Sequence, residues 1–231
     1  MRQTPYWLKG SLVACLGDKG IQERLEEFMR LIVAAPLNVS GFKTKDELWV
    51  HGICDAVQTM QGVNLTQLHH AVDIGSGGGL PGMILAIMTS SVGWTLIESR
   101  QKRAEYLMMM AERLCLENVD IVPERAEDAI RSRRESADVV TARAVGSLST
   151  TLELSIPYVK IGGQGLFPRG RFRLLQEIQD AEALCFELGA EIEQVSEPYG
   201  ENGGSQILCV RKQRVTPELF PRKAKLLGSR I

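Results

Sequence analysis

Val72-Asp73-Ile74-Gly75-Ser76-Gly77-Gly78-Gly79-Leu80-Pro81-Gly82 is a short apolar strand that runs into a glycine turn and then into the start of a helix. Glycines in such a turn let a ligand approach the main chain, because no side chain stands in the way. The helix that follows adds unpaired N–H groups and a partial positive charge at its N-terminus. Two ligand patterns overlap here. Gly75, Gly77 and Gly79 make the alternating G-x-G-x-G of adenosylmethionine sites, while Gly77, Gly79 and Gly82 make the G-x-G-x-x-G of dinucleotide sites. Asp73, two residues before the first glycine, separates them. An acid there suits the cationic methionine end of S-adenosylmethionine and repels a pyrophosphate. Pro81 also removes a helix N-terminal donor that a pyrophosphate would use. The plainer alternative is a tight turn that binds nothing; strand, acid and helix together argue against it.

Downstream of this turn, strands and helices alternate. Strands are expected at 71–74, 94–98, 120–122, 138–141 and 165–167, with helices starting near Pro81, Ser99, Ala126, Ser147 and Phe172. That spacing argues for a parallel sheet covered on both faces. The last two strands, 192–195 and 206–210, are joined by Tyr199-Gly200-Glu201-Asn202-Gly203-Gly204, with no room for a helix, so they form an antiparallel hairpin. The expected fold is α/β: a Rossmann-like class I methyltransferase sheet, mostly parallel with a reversed C-terminal hairpin. Upstream, residues 1–68 read as an N-terminal helical cap, and 69–231 as the methyltransferase domain with a basic C-terminal tail. Ile21, Leu25, Phe28, Met29 and Ile32 recur at helical spacing until Pro36. Thr44-Lys45-Asp46-Glu47 has the form of a capping box opening a second helix that carries Leu48, Ile53, Val57 and Met60.

Further candidates stand at strand ends, where open α/β sheets bind ligands. Glu98, closing the second strand, is placed to take ribose hydroxyls; a solvated acid is the alternative. Arg143 follows the fourth strand and Arg169-Gly170-Arg171 the fifth; each arginine suits an RNA phosphate or a target base, and each equally suits a plain surface charge.

A hydrophobic share of 44% and a charged share of 24% are ordinary for a globular chain of 231 residues, so disorder is excluded as the default. The net charge of −1 conceals an asymmetry. From Arg211 to Ile231 there are seven basic residues against one acid, Glu218, which leaves the rest of the chain near −7. A basic end on an acidic body suggests a polyanion contact, with a solvated extension as the alternative. Five cysteines with no C-x-x-C pair fit reduced thiols in the cytoplasm. The three histidines have no partners at metal-ligand spacing, so no metal site is expected. Neither a signal peptide nor a membrane span is expected.

The glycine turn with Leu80-Pro81-Gly82 resembles the signature of the RsmG family (glucose-inhibited division protein B), bacterial 16S rRNA guanine-N7 methyltransferases. The resemblance runs from about Leu37 to Lys223. It includes Leu37-Asn38-Val39-Ser40, Trp49-Val50-His51-Gly52-Ile53-Cys54-Asp55, Ile97-Glu98-Ser99-Arg100-Gln101-Lys102-Arg103, Arg125-Ala126-Glu127, Thr141-Ala142-Arg143-Ala144 and Thr216-Pro217-Glu218-Leu219-Phe220-Pro221-Arg222-Lys223-Ala224. It implies a seven-stranded Rossmann-like sheet with an N-terminal helical cap. It also implies cofactor contacts at Gly75 and Leu80, an adenosine border at Ala126 and Glu127, and Arg143 in the reaction cleft. Three departures stand out: Arg169-Gly170 for the usual Lys-Gly, Val50-His51 for Arg-His, and Lys225-Leu226-Leu227 where Gly and Pro normally follow.

The expectations are therefore S-adenosylmethionine as cofactor, held by Asp73, Gly75, Gly77, Gly79, Leu80, Glu98, Ala126, Glu127 and Arg143. Arg143 and Arg169 are the candidate catalytic residues. The partner is 16S rRNA or a small-subunit particle, without a membrane; the sequence does not fix the oligomeric state, and a monomer is the working expectation. Guanine N7 has a lone pair and no proton to lose, so no general base is needed, and N7 must stay free of arginine. The competing functions are a cofactor- and RNA-binding relative that has lost catalysis and a NAD-dependent oxidoreductase.

Overall fold

The computed structural model describes residues 2–36, 39–223 and 226–227. Helix α1 (Lys19–Val33) is capped by Asp18, whose side chain accepts from the Ile21 N–H at 2.9 Å, and it buries Leu25, Phe28, Met29 and Ile32 along one stripe. The predicted capping box is present. The Thr44 hydroxyl accepts from the Glu47 N–H at 3.2 Å, and the Glu47 carboxylate accepts from the Thr44 N–H at 3.3 Å. The helix it opens is not uniform: α2 (Lys45–Leu48) passes into a π-helical stretch, Trp49–Cys54, and then into α3 (Asp55–Thr59). Leu48, Ile53, Val57 and Met60 are all buried, as their spacing predicts.

The strands are β1 (His70–Ile74), β2 (Gly93–Ile97), β3 (Val119–Val122), β4 (Ala137–Ala142), β5 (Val159–Gly170), β6 (Ala190–Val195) and β7 (Ser205–Lys212). They form one seven-stranded sheet in the order β3-β2-β1-β4-β5-β7-β6. The first five are parallel, and β7 runs antiparallel to both β5 and β6. Helices α4 (Gly82–Met88), α5 (Gln101–Arg113), α6 (Ala126–Ala129), α7 (Leu148–Ser155) and α8 (Arg171–Glu187) begin where the pattern placed them, to within two residues.

Strand β5 is much longer than expected. Gly162, Gly163 and Pro168 interrupt its apolar pattern, but Pro168 lies past the last β4–β5 pair, Thr141↔Leu166, and pairs only with Ile207 of β7. The missing N–H therefore costs no bond to β4.

Side chains alternate between the two faces. Ala71, Val139, Leu166 and Ile207 join the buried cluster that includes α1, α4 and the N-terminal helices. Their neighbours Val72, Val140, Phe167 and Leu208 join the cluster beneath α6, α7 and α8. The N-terminal helices thus share a core with one sheet face.

Among the described residues of the basic end, four basic side chains lie against the body. Arg211 pairs with Glu193 at 2.9 Å; Lys212 is fully buried 3.2 Å from Glu135. Arg214 lies over the Phe186 ring, 4.4 Å from its centroid, and Arg222 pairs with Glu153. These four residues therefore have partners in the body, Glu193, Glu135, the Phe186 ring and Glu153 in turn, and of these acids only Glu153 is fully enclosed. Lys225 and Arg230 lie outside the described residues, as do Leu37 and Asn38.

Candidate functional site

Because β3, β2, β1 and β4 are parallel neighbours, their C-terminal ends share one edge. That edge collects the glycine turn after β1, Glu98 after β2, Ala126 and Glu127 at the start of α6, and Arg143 after β4. The turn is anchored to β2: the Gly75 and Ser76 N–H groups donate to the Ile97 carbonyl at 2.8 and 3.1 Å. Glu98 completes the anchor, accepting from the Gly77 N–H at 2.9 Å and the Arg100 N–H at 2.8 Å.

Gly77 has φ +54, and a Cβ built there meets no heavy atom closer than 3.8 Å. Space in front of this residue is therefore open, a cradle that a side chain would fill. Gly82 is constrained differently, since its Cβ would fall 2.7 Å from the Asp73 carboxylate. Leu80 packs toward the cap, its Cδ2 being 3.5 Å from the Cβ position of Gly52.

Asp73 does not face the open edge. By strand alternation it shares the α4 face with Thr141. Its fully buried carboxylate accepts from the Thr141 hydroxyl at 2.7 Å and the Gly82 N–H at 3.2 Å. The acid welds β1, β4 and the start of α4 together. Burial pushes its pKa up to about 6, against the pull of the Thr141, Ser76 and Gly82 donors and of Arg143. Between the ordinary 3.8 and about 6 the folded protein keeps a proton that the unfolded chain has lost, so this group's contribution to stability falls as pH rises through that window. Asp73→Asn is expected to remove that dependence. The unfolding free energy of the natural protein relative to the variant should decline by roughly 3 kcal/mol from the acid to the neutral side, from the 1.36 kcal/mol carried by each pKa unit. A pH-independent difference in chemical denaturation would refute the burial effect.

Beyond the glycine turn lies a cleft of about 440 Å³ between the cap and the ends of β4 and β5. Arg143 crosses it. Its Nη1 donates to Asp55 at 2.9 Å and to the His51 carbonyl at 3.0 Å, and its guanidinium stands 5.7 Å from the Phe42 ring centroid. Asp55 also accepts from the Tyr199 hydroxyl at 2.7 Å, and Tyr199 packs on Trp7 with ring centroids 5.6 Å apart. Arg143 thus ties the sheet edge to the cap through a main-chain carbonyl, which Val50 in place of arginine leaves intact. Arg169 lines the same cleft, but its guanidinium bonds the Gly146 carbonyl at 2.7 Å and the Thr151 hydroxyl and lies 3.8 Å from Glu177. Burial lowers its pKa from the ordinary value, and Glu177 opposes this. Its role in the fold is to fasten β5 to the start of α7.

Asp55, Tyr199, Trp7 and Phe42 escape the sequence reading. Asp55 sits in the quoted Trp49–Asp55 segment and Tyr199 in the hairpin loop, but 144 residues separate the two and no local pattern joins them. Among the described residues there is no metal-ligand cluster and no helix long and apolar enough to cross a membrane.

Solved structures of similar fold include the mitomycin 7-O-methyltransferase MmcR, with a TM-score of 0.54, 18% identity and coverage of 88% of this chain and 72% of that one. The TYW2 of M. jannaschii in complex with AdoMet has a TM-score of 0.51 and 16% identity, covering 69% of this chain and 73% of that one. Curated relatives are closer. The ribosomal RNA small subunit methyltransferase G of Thermotoga petrophila is 35% identical over 202 residues, 87% of each chain. That of Clostridium botulinum is 29% identical over 219 residues, 90% of this chain and 91% of the relative. The family model GidB, described as rRNA small subunit methyltransferase G, matches residues 21–203. On this match and the shared length and identity of these relatives, the chain belongs to the rRNA small subunit methyltransferase G family.

Proposed function

We propose that this chain transfers a methyl group from S-adenosylmethionine to N7 of a guanine in 16S rRNA, free or within a small-subunit particle, in the cytoplasm. The observation that carries the reading is the shared edge: an open glycine cradle at Gly77, Glu98 beside it and a cleft crossed by Arg143, all at the ends of adjacent parallel strands. Neither a NAD-dependent oxidoreductase nor a relative that only binds cofactor and RNA is favoured by the family assignment. Residues 1–68 serve as a cap and residues 69–231 as the transfer unit, working as a monomer.

The residues fit the cofactor. Gly75, Gly77, Gly79 and Leu80 would present main chain to it. Glu98, with two lone-pair positions used by Gly77 and Arg100, retains capacity for ribose hydroxyls. Ala126 and Glu127 would border its adenosine. When bound, the cofactor supplies a sulfonium methyl. Asp73 acts from within, holding β1 against α4, and its negative form suits a cation at the turn. Arg143 and Arg169 are cations that accept no proton, and guanine N7 needs no base; their work is positioning, which in favourable systems is worth about 7–11 kcal/mol.

With labelled S-adenosylmethionine, small-subunit rRNA is expected to take up label at a guanine that becomes susceptible to borohydride and aniline cleavage, the behaviour of 7-methylguanine. Gly77→Ala fills the cradle at a backbone cost of roughly 1 kcal/mol and should abolish cofactor binding in calorimetry while the protein remains folded. Label on a ribose or another base would overturn the proposed reaction.

A further inference from the structure

The start of α8 carries a feature that the reaction cleft does not use. Arg171, Phe172 and Arg173 are all exposed; Phe172 is 95% exposed and Leu175, one turn on, 78%. Neither Arg171 nor Arg173 has an ion-pair partner among the described residues. The neighbouring Leu174 is buried, so the helix is properly seated and the exposed face is not its core face.

This face adjoins the cleft. Arg169 and Gly170, which immediately precede it, line the cleft together with Gly200, and the Arg171 N–H is bonded to the Gly204 carbonyl at 3.0 Å. Gly170 and Gly200 have nothing within 4 Å of their Cβ positions, so the rim is open at these two residues.

We infer that Arg171, Phe172 and Arg173 form a stacking platform for an unpaired RNA base beside the target guanine, with Phe172 against the base and the two arginines on the flanking phosphates. This rests on the reading of the chain as an RNA methyltransferase. Three observations favour RNA as the occupant. An aromatic ring between two cations matches a base between two phosphates. Arg171 and Arg173 are exposed and without an ion-pair partner among the described residues, which leaves their charge for phosphates. The platform is also continuous with the cleft in which the target base is to be held. Enzymes that act on a base meet it unstacked, flipped out or in a single strand, and a ring beside the cleft offers its neighbour a replacement stack.

The test uses the full chain and two probes, deproteinised 16S rRNA and a short single-stranded oligoadenylate. Phe172→Ala is expected to weaken binding to both by about five- to 150-fold, the range for loss of one aromatic–base stack. Phe172→Trp should keep the affinity, and its added fluorescence should be quenched by oligoadenylate. Arg171→Ala with Arg173→Ala should make the salt slope shallower by about 1.4, at about 0.7 per phosphate contact on a single strand. Cofactor affinity should be unchanged throughout, because none of these residues touches the glycine turn. Unchanged RNA affinity in Phe172→Ala overturns the platform. So does a result in which the substitution only converts a concentration-dependent dimer to a monomer, which would make the face a self-association surface. If the natural protein binds RNA as described but transfers no methyl group, the proposed reaction falls while the platform stands.

Discussion

Arg222→Ala is expected to destabilise the protein by about 3–5 kcal/mol, the usual effect of removing one partner from a buried ion pair. Glu153 lies on the inner face of α7 with its side chain wholly enclosed. Arg222 meets it through Nη2 at 2.6 Å, Nε at 2.7 Å and its main-chain N–H at 2.9 Å. That pairing also raises the arginine's own pKa. Without the guanidinium, a carboxylate inside the core loses a close counter-charge, and a stretch held by Thr216 and the buried Phe220 loses an anchor. Denaturant unfolding should show the loss as a lowered midpoint, and adding Glu153→Gln should recover much of it by removing the stranded charge. A midpoint equal to that of the natural protein would show that the pair contributes nothing.

Arg143→Ala should lower methyl transfer to rRNA by about a hundredfold, the scale on which small misplacements of reacting groups act, while cofactor affinity stays near its natural value. The side chain bridges Asp55, the His51 carbonyl and the Phe42 ring, so its loss removes one tie between the cap and the edge at which we propose the guanine is held. A positioning role predicts a fall in kcat larger than any change in RNA affinity. Lysine should rescue in part, since one donor atom, Nη1, makes both hydrogen bonds and an ammonium carries three N–H groups. Tyr199→Phe, which removes a single hydrogen bond to Asp55 and leaves the arginine in place, should have a smaller effect of the same kind. Single-turnover transfer at the natural rate in Arg143→Ala would make this arginine a bystander.

The elements of the fold were legible wherever local spacing carries the information. Alternation of apolar strands and helices, the Thr44 capping box and the strand–glycine–helix unit at 72–82 are all short-range patterns, and each has a short-range physical cause in pleat, cap or turn. Strand β5 was half hidden because its glycines and Pro168 are tolerated only by a pairing arrangement that the sequence does not display. The candidate site was legible as residue types at strand ends, which is how Glu98 and Arg143 could be singled out. Their orientations were not, and Asp73 shows why: an acid before a glycine turn reads as a ligand contact, but strand parity turns it toward α4, where Gly82 leaves room for it.

By itself, then, the sequence determined the class of sheet, the order of its helices and the glycine turn at its edge, because periodicity and turn chemistry act over a few residues. Only the tertiary structure decided which charges are buried and which are free. Arg143 finds Asp55 across 88 residues, and Arg222 finds Glu153 across 69. Such pairs form because layers of helix and sheet bring distant charges together, and at the wholly enclosed Glu153 an unpartnered charge is too costly to keep. The same packing leaves Phe172 outside, where no charge or apolar surface of the described chain covers it.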